Sequence, residues 1–280
     1  MALEFETADV FTDTRFGGNP LAVVHGAGAL ETAAMQAIAR EFNLSETVFV
    51  TGVGAGEAQI RIFTPGVEVP FAGHPNVGAA VLLARRHGWR GQVVLHQAAG
   101  AVRATLAEDL SSAEITAPRA LSLGRALDAA AVAACGCLTA EELRGPARMA
   151  GCGLDFAIAE VADAATLARA APHPAAASVL FGDATGVLFH APLGDGRRRA
   201  RMFSPLDGIP EDPATGSANC ALAGLLLQES GGAELALEVE QGVEMGRPSR
   251  LALRAWREAG AIRVAVGGGV VPVSRGVLHA

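Results

Sequence analysis

Two titratable side chains, His74 and Asp212, each precede a proline and a mostly apolar segment. His74 stands in FAGHPNVGAAVLLA, and Asp212 stands in GIPEDPATGSANCALAGLL. An imidazole and a carboxylate on two sides of a bound molecule can take a proton from one atom and return one to another. We therefore interpret His74 and Asp212 as candidates for the acid and base of a proton-transfer site.

The two motifs belong to an internal repeat. RIFTPGVEVPFAGHPNVGAAVLLA (61–84) recurs in outline as RMFSPLDGIPEDPATGSANCALAGLL (201–226), with Arg61 standing 140 positions before Arg201 (201 − 61). After a two-residue adjustment, His74-Pro75 aligns with Asp212-Pro213. The repeat predicts an N-terminal half over about 1–120 and a C-terminal half over about 121–261, and the final strands at about 262–280 are expected to return to the first half.

Each half has the same predicted elements. Alternating apolar strands such as ETVFVTG and QIRIFT are separated by glycine and proline turns. The segment 77–84 is apolar on every side of a 3.6-residue helix, and such a helix is buried. The pattern predicts an α+β chain in which each half wraps a strongly curved sheet around a central helix.

The starts of these two helices are suited to binding an anion. A helix N-terminus leaves about four backbone N–H groups without internal partners and carries a partial positive charge. Gly73, Gly216 and Ser217 are small enough to let a ligand approach the backbone. If the halves are related by a pseudo-twofold axis, the two helix starts converge on a small carboxylate.

Glu46 in NLSETVFV is a third candidate, at the beginning of an apolar strand. A carboxylate partly withdrawn from water has a raised pKa, which suits general acid–base work. The residues alone favour a solvated turn for Glu46. His74 as a core or capping histidine and Asp212 as a turn residue before proline are equally ordinary interpretations when each residue is taken singly.

Composition excludes several classes of chemistry. The chain has no lysine and no tyrosine, so a Schiff-base lysine, a phosphate-loop lysine and a tyrosine base are all impossible. GVGAG (52–56) lacks a full dinucleotide-binding motif, and the seven histidines and four cysteines show no metal-ligand spacing. The sequence therefore predicts no cofactor and no metal.

Charge and hydropathy limit the partners. The net charge of −7 argues against a nucleic-acid partner. There is no run of eighteen apolar residues, and the first residues show no secretory signal, so we expect no membrane span and a cytoplasmic location.

The order of five motifs resembles one family. DVFTDTRFGGNPLAVV, NLSETVFV, FAGHPNVGAA, GIPEDPATGSANCAL and QGVEMGRPS, spread over 9–249, resemble the PhzF-like proteins of phenazine biosynthesis, in the wider diaminopimelate epimerase-like superfamily. The resemblance implies two pseudo-symmetric domains, each a barrel-like, mostly antiparallel sheet around a central helix, and a homodimer. It also implies isomerisation of trans-2,3-dihydro-3-hydroxyanthranilate or another small carboxylate without a cofactor.

The resemblance also implies roles for individual residues. It makes Glu46 the group that moves a proton between carbons, which reverses the interpretation drawn from the residues alone. It makes His74, Asp212 and Ser217 the groups that bind and polarise the substrate. The relatives that racemise amino acids use a thiol at each helix start, and none of the four cysteines falls there.

Two alternatives stay open at this point. One is an amino- or hydroxy-acid epimerase that uses Glu46 with His74 or Asp212 as opposed bases. The other is a non-catalytic homologue that binds a metabolite or a protein. The sequence does not identify the substrate or the pathway.

Overall fold

The computed structural model describes residues 2–180, 184–206 and 209–279. Two positions in the second copy of the predicted repeat, Asp207 and Gly208, lie outside the described residues. The chain forms two compact units: unit 1 comprises 1–118 and 267–280, and unit 2 comprises 119–266.

The described residues of unit 1 form two α-helices, a 3-10 helix (Ala27–Ala29) and eight strands before the chain enters unit 2. The α-helices and strands are β1 (Ala2–Val10), β2 (Asn19–Val24), α1 (Thr32–Phe42), β3 (Glu46–Val53), β4 (Glu57–Phe63), β5 (Glu68–Val69), α2 (Gly73–His87), β6 (Gln92–Gln97), β7 (Gly100–Leu106) and β8 (Ser112–Thr116).

Unit 2 repeats this order with extra short helices. Its elements are β9 (Ser122–Ala126), α3 (Ala129–Cys135), β10 (Leu143–Gly151), β11 (Asp155–Val161), α4 (Ala164–Arg169), α5 (Pro174–Leu180), β12 (Val187–Gly194), β13 (Arg197–Ser204), β14 (Ile209–Asp212), α6 (Gly216–Ser230), β15 (Glu234–Gln241) and β16 (Ser249–Glu258). The last strand, β17 (Ala261–His279), contains residues of both units.

Most strand pairings of unit 1 recur in unit 2. In unit 1, the pairs β1–β2, β3–β4, β6–β7 and β7–β8 are antiparallel, whereas β2–β3 and β4–β6 are parallel. In unit 2, β10–β11, β12–β13 and β15–β16 are antiparallel, whereas β11–β12 and β13–β15 are parallel. The predicted α+β class, with two pseudo-symmetric and mostly antiparallel sheets, is confirmed.

The central helices are buried as their composition predicts. Every residue of α2 from Gly73 to Ala84 is buried, and most of α6 is buried as well. Gly78 shows why small residues are needed: a Cβ there would lie 2.5 Å from Leu21 of β2 and 2.8 Å from Val10 of β1. The helix therefore packs directly on the inner face of the unit 1 sheet.

The structure corrects the predicted alignment of the repeat. Helices α2 and α6 have 15 residues each and begin at Gly73 and Gly216, an offset of 143 (216 − 73). His74 is the second residue of its helix and corresponds to Ser217. Asp212 is the last residue of β14 and corresponds to Val69, so the alignment of His74 with Asp212 is wrong.

The error has a simple cause. The connection between the repeated strand and the helix is three residues longer in unit 2, whereas our alignment shortened it by two. The matching pattern is E-x-P-x-x-G-x-x-N, which begins at Glu68 in unit 1 and at Glu211 in unit 2. This identity was visible in the sequence, but the two H-P and D-P dipeptides obscured it.

The two glutamates of this pattern form matching ion pairs. Nε and Nη2 of Arg61 donate to Glu68 at 2.8 and 2.6 Å, and those of Arg201 donate to Glu211 at 2.7 and 2.7 Å. Each guanidinium also lies over a phenylalanine ring two residues along its own strand, at 5.1 and 5.0 Å. These bidentate pairs fix the segment that leads into each central helix.

A buried histidine in unit 2 makes stability depend on pH. Burial, assisted by the charge of Arg198, lowers the pKa of His190 to about 3. Since the unfolded histidine titrates near 6.5, only the unfolded chain takes up this proton as the pH falls from about 6.5 to about 3. The stabilising contribution is complete above about 6.5 and is lost progressively below it.

We therefore expect His190→Gln to weaken the acid sensitivity of the protein. Between about pH 6 and pH 4, unfolding of the variant takes up about one proton fewer. The slope of the unfolding free energy against pH is therefore expected to fall by roughly 1.4 kcal/mol per pH unit. Urea unfolding at several pH values measures this slope. His96→Gln is the control because that ring is exposed, and an equal change in both variants would contradict the assignment.

Candidate active site

Glu46 and His74 lie side by side in unit 1. Nε2 of His74 is 3.4 Å from Oε2 of Glu46, and the two side chains are 4% and 16% exposed, respectively. The two atoms are within ion-pair distance but do not form a hydrogen bond with each other, and catalytic contacts are often long or poorly aligned before a substrate binds. The solvated turn that the residues alone favoured for Glu46 is therefore wrong, because the carboxyl group is mostly buried against an imidazole.

The sheet and the central helix bring these two residues together. Glu46 is the first residue of β3, which runs parallel to β2 with Leu21 beside Glu46. Leu21 also lies against Gly78 of α2, so the start of β3 and the first turns of α2 are neighbours. The strand thereby presents a carboxylate to the N-terminal end of the helix.

His74 is held in its neutral form. Burial lowers the pKa of His74 to about 3. The ring is therefore uncharged at neutral pH, and its contact with Glu46 joins a carboxyl group to a neutral imidazole. A neutral imidazole can donate one hydrogen bond and accept another.

Asp212 is buried in unit 2 and held by its neighbours. It is 7% exposed, and its Oδ2 accepts a hydrogen bond of 2.5 Å from the hydroxyl of Thr215. Its backbone carbonyl accepts a hydrogen bond of 2.7 Å from Nε2 of Gln241. The carboxyl group is therefore fixed close before the start of α6.

The remaining candidates lie at helix starts. Gly73 is the first residue of α2, and Gly216 and Ser217 are the first two residues of α6. Ser217 is half-buried, whereas both glycines are buried. The six predicted residues thus form two groups: Glu46, Gly73 and His74 in unit 1, and Asp212, Gly216 and Ser217 in unit 2.

An asparagine near the start of each central helix is hydrogen-bonded to a glutamine at the end of the following strand, and these pairs were not predicted from the sequence. Asn76 exchanges hydrogen bonds of 3.3 and 2.9 Å with Gln97, and Nδ2 of Asn219 donates to Oε1 of Gln241 at 2.7 Å. Both asparagines also bond a backbone carbonyl four residues earlier, at 2.8 and 2.9 Å. The asparagine of the E-x-P-x-x-G-x-x-N pattern was the signal that could have found them.

The thiols are unsuited to act as bases. All four cysteines are free. Burial raises the pKa of Cys135 to about 11 and that of Cys152 to about 12, and it raises the pKa of Cys220 well above its usual value. Cys220 is the fifth residue of α6, so it does not occupy the start of that helix.

The described part of the chain has neither a metal cluster nor a helix that could cross a membrane. Residues 2–180, 184–206 and 209–279 include no group of three or more His, Cys, Asp or Glu side chains suited to a metal ion. Within the same ranges, no helix has the length and apolar character needed to cross a membrane.

Comparison with known proteins identifies the family. Residues 8–276 match the model of the PhzC-PhzF family, described as phenazine biosynthesis-like protein. An uncharacterized isomerase of Mesorhizobium japonicum is 37% identical, with 96% of each chain covered. Trans-2,3-dihydro-3-hydroxyanthranilate isomerase of Pseudomonas chlororaphis is 36% identical, with 96% of this chain and 97% of that protein covered.

A solved structure supports the fold. The PhzF-family phenazine biosynthesis protein of Bacillus anthracis superposes with a TM-score of 0.88, covers all of both chains and is 22% identical.

A mostly antiparallel sheet around a buried helix in each of two matching units is the fold shared with this PhzF-family structure. The chain belongs to the PhzC-PhzF family, and the family predicted from its motifs is confirmed. It is accordingly an isomerase.

Proposed function

We propose that this isomerase moves a proton between two carbons of a small carboxylate substrate without a cofactor, and that Glu46 is its acid and base. The observation that carries the proposal is the mostly buried Glu46 carboxyl group, 3.4 Å from a histidine that burial keeps neutral. Such a carboxyl group can change its protonation state without competing with a charged imidazole for the proton.

The proposed reaction balances without an external oxidant or reductant. The Glu46 carboxylate removes a proton from one carbon, and the electron pair of that C–H bond shifts into the adjacent π system. The protonated Glu46 then returns the proton to a second carbon as the double bond moves. The substrate is therefore isomerised, and Glu46 recovers its starting state.

The other candidate residues bind and polarise the substrate in this proposal. Neutral His74 donates a hydrogen bond to an oxygen on which charge develops. Asp212 and Ser217 bind polar groups of the substrate. The N–H groups at the helix starts of Gly73 and Gly216 carry partial positive charge and favour a carboxylate.

Deuterium exchange tests the reaction. We expect the double bond of trans-2,3-dihydro-3-hydroxyanthranilate, or of another unsaturated ring carboxylate, to move, and the product to gain deuterium from D₂O to the extent that the proton on Glu46 exchanges with solvent before it is returned. Treatment with EDTA is expected to leave the rates unchanged. Proton NMR follows both events. Loss of activity with EDTA and recovery with a divalent metal would overturn cofactor independence.

Two other outcomes separate the alternatives. Inversion of a stereocentre without migration of a double bond would identify an epimerase. Thermal stabilisation by these carboxylates with neither movement of a double bond nor deuterium uptake would identify a binding protein. Activity against the first compound would give this chain the reaction named for its relative in P. chlororaphis.

A further inference from the structure

The QGV segment that ends β15 contains a polar side chain in the interior of unit 2. Gln241 is the last residue of β15 and is 0% exposed. Its Oε1 accepts hydrogen bonds from the backbone N–H of Thr215 at 3.2 Å and from Nδ2 of Asn219 at 2.7 Å. Its Nε2 donates to the backbone carbonyl of Asp212 at 2.7 Å and to the hydroxyl of Thr215 at 3.2 Å.

These four bonds use the full capacity of the amide. A glutamine side chain has two acceptor sites on oxygen and two donor hydrogens on nitrogen. The reverse orientation would place its NH₂ group against two other donors and its oxygen against the Asp212 carbonyl. The orientation of Gln241 is therefore determined by its surroundings, and the side chain ties the end of β14 to the first turn of α6.

The next residue extends the same contact through the backbone. Gly242 has φ of +72°, and a Cβ there would lie 2.6 Å from the carbonyl oxygen of Pro213 and 2.5 Å from that of Arg247. A side chain at position 242 is therefore excluded both by conformation and by space. The chain 212–215 rests directly on Gln241 and Gly242.

The matching position in unit 1 has a simpler arrangement. Gln97 ends β6 and is half-buried, and among the described residues its side chain is hydrogen-bonded to Asn76 alone. It is followed by Ala98 rather than glycine. The asparagine–glutamine pair thus exists in both units. In unit 2 the glutamine also bonds the end of the strand before the helix, and that strand carries Asp212.

We propose that Gln241 and Gly242 form a seat that positions Asp212 for the isomerase reaction, which makes Gln241 a positioning residue. This inference rests on the proposed role of Asp212 in binding substrate. Gln241 holds the Asp212 backbone and also the hydroxyl of Thr215, which in turn donates to the Asp212 carboxyl group. Without the seat, the carboxyl group loses both its backbone anchor and the orientation of its hydrogen-bond donor.

The test compares Gln241→Ala with Gln97→Ala, which removes the matching amide from unit 1. Turnover of trans-2,3-dihydro-3-hydroxyanthranilate is the kinetic probe. We expect Gln241→Ala to lower kcat at least tenfold and Gln97→Ala to change it less than twofold. Equal losses of kcat in the two variants, or a loss in Gln241→Ala that merely follows its melting temperature, would overturn the proposal.

Gln241→Glu keeps the shape of the side chain, and the pH dependence of its kcat is a readout that a loss of packing does not change. As a carboxylate, this residue repels the Asp212 carbonyl and cannot donate to it, whereas the protonated acid can donate one hydrogen bond. We expect kcat of Gln241→Glu, relative to the native protein, to recover as the pH is lowered. A ratio independent of pH would count against the seat.

Amide hydrogen exchange tests the seat without any substrate. We expect Gln241→Ala to speed exchange at the Thr215 N–H at least tenfold and Gln97→Ala to leave it unchanged. Unchanged exchange in Gln241→Ala would overturn the seat.

Asp212→Asn separates the two levels of the proposal. If it retains native kcat, the proposed role of Asp212 is wrong and Gln241 has no catalytic group to position. If it loses activity while Gln241→Ala does not, the proposed function stands and the inference about Gln241 alone fails.

Discussion

Replacing Glu46 with glutamine is expected to slow proton exchange at the substrate carbon by about 10²- to 10⁴-fold, the usual contribution of a general acid–base group. Glutamine has nearly the same shape but cannot take up or release a proton in the working pH range. Because the substituted side chain fills the same space at the start of β3, the fold and substrate binding are expected to persist. Deuterium uptake by NMR and a binding titration measure the two effects separately.

A second glutamate–histidine pair in unit 1 provides the matched control. Nε2 of His25 lies 2.9 Å from Oε2 of Glu6, and His25 is 7% exposed. Glu6→Gln removes a carboxylate from a similar partner outside the proposed site, so we expect exchange within about twofold of the native rate. Native exchange in Glu46→Gln, or an equal loss in Glu6→Gln, would contradict the role proposed for Glu46.

Replacing Glu211 with glutamine is expected to lower the free energy of unfolding by about 3 kcal/mol, as the loss of one partner of a buried ion pair does. Arg201 and Glu211 are only 8% and 14% exposed. Arg201 also donates to the carbonyls of Leu167, Ala168 and Ala170, so its guanidinium cannot turn freely toward water. Its charge would lose its counter-ion and remain inside the protein.

The internal repeat supplies the control for this prediction. Glu68→Gln breaks the matching pair with Arg61, in which the two side chains are 30% and 34% exposed. An ion pair near water contributes little, and we expect a loss below about 1 kcal/mol. Urea unfolding of both variants at one pH measures the difference, and equal losses would show that burial does not distinguish the two pairs.

The two glutamates also differ in the residue that comes next along the chain. Glu211 immediately precedes Asp212, whereas Glu68 precedes Val69. Two contacts hold residues 211 and 212 in unit 2. Glu211 accepts a bidentate contact from Arg201, and the Asp212 carbonyl accepts a hydrogen bond from Gln241. The copy of the repeat that contains Asp212 is therefore held more strongly than the copy that contains Val69.

Periodicity and motif order were sufficient for the general architecture. A segment that is apolar on all sides has to be surrounded by protein, so α2 and α6 could be recognised as central helices without any structure. The order of five motifs placed the chain in its family. The resemblance, rather than any property of S-E-T alone, identified Glu46 as a candidate.

The alignment of the two copies of the repeat was predicted wrongly from short motifs. Two dipeptides that end in proline suggested that His74 and Asp212 are equivalent, whereas the helix starts show that His74 corresponds to Ser217. The length of the connection between β13 and α6 decides this register. The E-x-P-x-x-G-x-x-N pattern reports this register in the sequence, but it spans nine residues with five unmatched positions and is less conspicuous than a dipeptide.

By itself, the sequence determined the class of fold, the two buried helices, the family and the residue types available for chemistry, since these depend on composition, periodicity and motif order. Only the tertiary structure decided that Glu46 lies beside His74 and that Gln241 holds Asp212. Residues 28 and 29 positions apart (74 − 46 and 241 − 212) meet in these contacts. Such contacts depend on strand register and on the packing of a helix against its sheet, which short stretches of sequence do not specify.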